Sequence, residues 1–235
     1  VELRDGDPDR FQSQGVLKAV ASVNTIIAPQ LAGLDPTNQQ QIDQLLIDLD
    51  GTVNKSRLGA NSILSVSQAV CEVAAAATGL QIYDYLIAKY QMAKASTSLP
   101  TPIFNIINGG KHGAGNLDFQ EFHIIPARGF SYSTALQCGE EIYQILGTVL
   151  KHRNAIHSVG AEGGYAPNLF TNKDALEVIV EAINQTKYKL NRDVFLGLDV
   201  AASEFYSSDK YTIKDTADPL TAKGLLDYYS QIDSE

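Results

Sequence analysis

Apolar residues recur at helical spacing through most of the first hundred positions. Between Gly15 and Leu31 they are Val16, Leu17, Val20, Val23, Ile26 and Ile27, which predicts a helix. Asp35-Pro36-Thr37 reads as a start signal with Pro36 or Thr37 near the cap. Ile42, Leu45, Leu46 and Leu49 then share one face, and Asp50-Gly51 ends that helix. Ala60 to Thr78 is apolar nearly all round and rich in small residues, which predicts a buried helix closely packed by its neighbours and stopped by Gly79. Ile82 to Met92 reads as a further short helix with Tyr83, Leu86, Ile87 and Tyr90 inward, and Ala95 to Pro100 as a linker.

After Pro100 the pattern shortens. Pro102–Ile107 and Glu121–Ile125 are apolar runs of strand length, separated by the glycine-rich loop NGGKHGAGN. Tyr132–His152 reads as a helix, Ile156–Val159 as a short strand, and Gly160–Asn168 as a loop. Asn172–Thr186 is another helix and Val194–Val200 another strand. Glu204–Lys214 suggests a hairpin turning at Ser207-Ser208-Asp209, and Thr221–Ser230 a last helix. Strands alternating with helices predict an α/β architecture with a parallel sheet in this half.

Composition narrows the function classes. The 235 residues carry 27 acidic and 18 basic side chains, a formal net charge of −9. That background disfavours general binding to nucleic acid or an anionic membrane. The two cysteines, Cys71 and Cys138, form no CxxC, so neither a disulfide framework nor a cysteine-based zinc site is read, and a reducing, cytoplasmic setting is expected. No apolar run approaches the length of a transmembrane helix. The first residues, Val1-Glu2-Leu3-Arg4-Asp5, are too charged for a signal peptide and enter directly into strand-like sequence without an initiator Met, which suggests an upstream segment.

Three carboxylates interrupt the apolar pattern. Glu121 opens EFHII, Glu162 sits in GAEGGYAPN, and Asp199 lies near the C-terminal end of VFLGLDVA, where α/β folds place their chemistry. Acids converging on one pocket bind Mg²⁺ through oxygen, or divide into a metal ligand and a general acid. His112, nine residues before Glu121, is placed to reach the same pocket. His123 alternates with Glu121 and so points to the same strand face, where a histidine of the core is its plainer reading. His152 and His157, five apart, do not form the i, i+4 pair of a zinc helix and read as structural or surface residues. Gly109-Gly110-Lys111-His112 is not a phosphate-binding P-loop, Gly113-Ala114-Gly115 lacks a third glycine, and no GxSxG supports a serine hydrolase.

The segments PTPIFNIINGGKHGAGNLDFQEFHIIP (101–126), VGAEGGYAPN (159–168), GLDVAASEFY (197–206), VELRDGD (1–7) and NKSRLGANSIL (54–64) together resemble the enolases, in order over essentially the whole chain. The resemblance implies a mostly helical part of an N-terminal capping domain over 1–98. Over 99–235 it implies the first part of a modified β/α barrel. That stretch is far shorter than the roughly 250 residues a closed barrel takes, so an open barrel with an exposed strand edge is expected. It also implies a lyase: Mg²⁺-dependent dehydration of 2-phosphoglycerate to phosphoenolpyruvate in glycolysis, by a cytoplasmic homodimer or higher homo-oligomer.

By the same resemblance, His112 holds substrate and closes with its loop, and Gln120 and Glu121 lie at the substrate. Glu162 is the general acid for the departing hydroxyl, and Asp199 the first of three carboxylate ligands of Mg²⁺. Ala161 stands where the family carries Asp, His123 where it typically carries Met, and Lys111 where small residues are common. Loss of the anion beside Glu162 weakens that residue's hold on a proton. The family's opening strands, serine loop, remaining metal carboxylates, catalytic lysine and phosphate-binding arginine-serine pair match nothing in this sequence. The alternative is therefore a truncated enolase-like chain without catalysis, acting as a binding or structural protein.

Overall fold

The computed structural model describes residues 1–92, 99–113 and 115–234. Most of the expected linker, Ala95 to Ser98, lies outside them. The chain divides into two compact units, Val1–Ser98 and Leu99–Glu235, each of which is described by itself.

In the first unit the opening segment is fastened down but joins no sheet. The N–H of Leu3 donates to Asn61 Oδ1, Asn61 Nδ2 donates to the carbonyl of Leu3, and the N–H of Ala60 donates to the carbonyl of Val1. Asp5 accepts from the N–H groups of Leu17 and Lys18 and so caps α1 (Leu17–Ser22). The helix then widens into a π turn over Val23–Ile27 before α2 (Ala28–Leu31). Pro29 accounts for this, because it lacks the N–H that would reach back to Thr25 and its ring crowds that carbonyl. Helix α3 (Gln39–Asp50) starts after Asn38, later than the Pro36/Thr37 expectation, because Asp35 Oδ1 draws the N–H and hydroxyl of Thr37 into a turn. It ends at Gly51, whose φ of 69° is left-handed.

Ile27, Ile42, Leu46 and Leu58 make this unit's core. Helix α4 (Ala60–Ala77) departs from the expectation of full burial. Only Ser62, Ala74 and Ala75 are buried, and Leu64 and Val73 are more than half exposed, at the two margins of an exposed side that also carries Ser65, Gln68 and Glu72. In α5 (Ile82–Lys89) the inward tyrosine is Tyr85; Tyr83 and Tyr90 are exposed.

The second unit combines a small sheet with packed helices. Strands β1 (Phe104–Asn108), β2 (Glu121–Pro126) and β3 (Val194–Asp199) form one sheet in that order. Both pairings are antiparallel, contrary to the parallel sheet expected. The connections explain the difference. The β1–β2 link is a loop with no crossover helix, which permits a hairpin-like return. Between β2 and β3 lie two helices, α6 (Tyr132–His152) and α7 (Asn172–Asn184), where a parallel neighbour needs one. The second helix brings the chain back to the end it left. The expected strand at Ile156–Val159 is reduced to one bridge, Val159 to Tyr165; Tyr165 also bridges Ile107.

Helices α6 and α7 cover one face of the sheet. Ile142, Leu146 and Leu150 of α6 and Val178, Ile179 and Ala182 of α7 are buried in one core with Ile107, Phe122, Ile124 and Val194. Ser131 caps α6 through the N–H of Thr134, and Thr171 with Asp174 forms a capping box on α7. The alternation along β2 puts Phe122 and Ile124 into that core and leaves Glu121, His123 and Ile125 half-buried on the other face. A two-stranded ribbon, β4 (Tyr206–Ser207) and β5 (Lys210–Tyr211), turns through Ser208 and Asp209, both at positive φ. Helix α8 (Ala222–Ser234) follows. No strand covers the outer edge of β3 among the described residues; an open groove of about 710 Å³ runs there, lined by Leu176, Phe195, Leu198, Tyr229 and Ile232.

Candidate functional site

The site begins with a loop that only small residues can make. A side chain on Gly109 would stand 2.2 Å from the carbonyl oxygen of Phe119, and Gly110 has a φ of 48°. The chain therefore turns tightly through the short 3₁₀ segment Gly110–His112. The N–H of Gly109 donates to the carbonyl of Gln120, and that of Gly110 to the carbonyl of Leu117, closing the loop on its own base. Buried Asn172, at the start of α7, anchors it from beneath. Its Oδ1 accepts from the N–H groups of Asp118 and Phe119 at 3.1 and 2.9 Å, and its Nδ2 donates to Asp215 Oδ1 at 2.6 Å. Lys214 Nζ reaches the carbonyls of Gly115 and Asn116.

The loop brings His112 to Glu121. Nδ1 of His112 lies 3.0 Å from Glu121 Oε1, and Nε2 of His123 lies 2.8 Å from Glu121 Oε2. The carboxylate is held between two imidazoles. Asp199 is the cross-strand partner of Glu121, and the N–H of Gln120 donates to the Asp199 carbonyl. The Asp199 side chain is turned locally, accepting from the N–H of Ala201 at 3.3 Å. Lys111, on the same loop, is an exposed ammonium paired with Glu204 at 2.5 Å.

Glu162 lies in the neighbouring turn. The N–H of Gly160 donates to the carbonyl of Gly164 and that of Gly163 to the carbonyl of Gly160, which puts Ala161 and Glu162 at an exposed tip. The two loops touch: a side chain on Gly160 would stand 2.8 Å from both the His112 carbonyl oxygen and Asn108 Oδ1. Tyr143 braces this turn, its hydroxyl donating to the carbonyl of Gly163 and its ring stacked on Tyr165 at 4.5 Å. The structure thus joins His112, Glu121 and His123 directly and sets Asp199 beside them. The Glu162 loop adjoins the set, without a side-chain bond from Glu162 to it among the described residues.

Sequence reading missed Asn172, Asp215 and Tyr143, which act through burial and hydrogen bonds that no local pattern announces. It also missed Asn105 and Asn108, whose side-chain nitrogen and oxygen atoms are buried with no hydrogen-bond partner among the described residues. Among the described residues no three His, Cys, Asp or Glu side chains gather to hold a metal ion, and no single helix is long and apolar enough to cross a membrane.

Two family models match the chain. The enolase N-terminal domain matches residues 1–86, and the enolase C-terminal TIM barrel domain matches residues 96–235.

Proposed function

The chain belongs to the enolase family, and from that premise we propose that it supplies, within an active enolase polypeptide, part of the site that dehydrates 2-phosphoglycerate to phosphoenolpyruvate. The observation that supports this reading is the meeting of His112, Glu121 and Asp199 at one end of the β2–β3 pair, beside the glycine-bounded Glu162 turn. In this reading His112 and Gln120 hold the substrate and Glu121 orients His112. Glu162 gives its proton to the departing C3 hydroxyl, which leaves as water while the C2–C3 double bond forms. The C2 proton passes to a base outside this set, since Lys111 is a paired surface ammonium. A homo-oligomeric glycolytic enzyme of the cytoplasm is the corresponding setting.

Mg²⁺ is implied by the family, and the donors described here do not fit it alone. Mg²⁺ takes near-octahedral oxygen ligands and gives up its waters reluctantly. Asp199 offers one exposed carboxylate, and both oxygens of its neighbour Glu121 are taken by histidines. The same observation favours a second reading, a chain of this family that binds without catalysis. Enol phosphate absorbance after addition of 2-phosphoglycerate and Mg²⁺ separates the two. The first reading expects turnover by a full-length enzyme carrying this chain, raised by Ala161→Asp, and none by the 235-residue chain alone. Absence of turnover in the full-length form supports the second reading.

A further inference from the structure

Glu121 can only accept hydrogen bonds when ionised, so the two nitrogens facing it must both be donors. Neutral His123 is then the Nε2–H tautomer and neutral His112 the Nδ1–H tautomer. For a free imidazole the Nε2–H form is the ordinary one, so His112 is held in its less favoured form. Its lone pair sits on Nε2, which bonds to no described residue. The His112 side chain is 29% exposed, against 17% for both Glu121 and His123, so the most exposed group of the three is the one carrying the unused acceptor.

A glutamate bound through one oxygen can still turn about its last torsion. His123 removes that freedom by bonding the second oxygen. It has room to do so because its cross-strand partner on β3 is Gly197. We infer that His123 is a positioning residue: it fixes the Glu121 carboxylate, which in turn fixes His112 with Nε2 as the acceptor presented to the ligand. This rests on the reading of His112 and Glu121 as ligand-binding groups, but its test needs no substrate and so fails or succeeds separately.

The test is long-range ¹H–¹⁵N correlation of the imidazoles in the 235-residue chain, at a pH where both rings are neutral. The parent should show Nδ1–H for His112 and Nε2–H for His123. His123→Met should return His112 to mainly Nε2–H. His123→Gln, whose amide reaches the same carboxylate oxygen, should keep the Nδ1–H form. His123→Asn, polar but too short, should behave like His123→Met and serves in its place where the methionine variant loses its fold. An Nε2–H His112 in the parent, or an unchanged Nδ1–H His112 in the methionine or asparagine variant, overturns the inference.

Discussion

Asn172→Ala should loosen the second unit more than any exposed substitution near the site. The change leaves the part-buried N–H of Asp118 and the buried N–H of Phe119 without an acceptor and removes the Nδ2 donor to Asp215. An unsatisfied buried donor costs about 1–3 kcal/mol. Asp215 keeps its bonds from the N–H groups of Asn172 and Lys173, so the two loop donors dominate. Water entering the vacated space returns part of the loss, which leaves about 3 kcal/mol, or roughly a hundredfold in the opening equilibrium. Amide hydrogen exchange of Phe122 and Ile124, in the core of β2, reads the second unit without interference from the first. Exchange there should quicken roughly a hundredfold. The imidazole signals of His112 should shift too, because the loop that carries it shares that anchor. A change below about threefold would refute the claim that Asn172 carries the loop; it corresponds to less than about 0.7 kcal/mol, well under one lost donor.

Three further outcomes follow from packing and charge. Gly139→Ala should destabilise by about 1–3 kcal/mol despite alanine's better helix propensity, because its Cβ would stand 2.6–2.7 Å from the Phe104 ring; a raised midpoint in urea would contradict the packing of α6 on β1. Burial pushes the Cys138 thiol up to about 11, so a disulfide reagent at pH 8 should modify half-buried Cys71 and spare Cys138 until the protein unfolds; equal rates would contradict the core placement. Burial raises the Asp50 pKa, but hydrogen bonds from Thr52 and the N–H of Leu58 outweigh it and hold the carboxyl below its ordinary value. Its stabilising contribution should be full above about pH 4 and vanish as pH falls through the lowered value, and Asp50→Asn should flatten the acid limb of the first unit's unfolding curve.

The periodic elements could be read from sequence because each is written locally. The Tyr132–His152 helix and the turn at Ser208-Asp209 carry their own spacing and turn residues. Strand direction could not be read that way, since it depends on how many helices separate two strands. The exposed side of α4 was also hidden: composition says that Leu64 and Val73 are apolar, not which neighbour covers them. At the site, alternation along β2 put His123 on the face of Glu121, and the glycine loop brought His112 within reach of it. The supports from Asn172 and Tyr143 come from distant stretches of chain, and only the folded geometry displays them.

The most direct test of the functional account is Glu162→Gln in a full-length enzyme carrying this chain. The amide is nearly isosteric but has no proton to give a departing hydroxyl. Phosphoenolpyruvate formation should fall by about 10²–10⁴-fold, with circular dichroism and unfolding midpoint unchanged, since Glu162 sits at an exposed tip. Turnover equal to that of the parent would contradict the assignment of Glu162 as the acid and, with it, the proposed site.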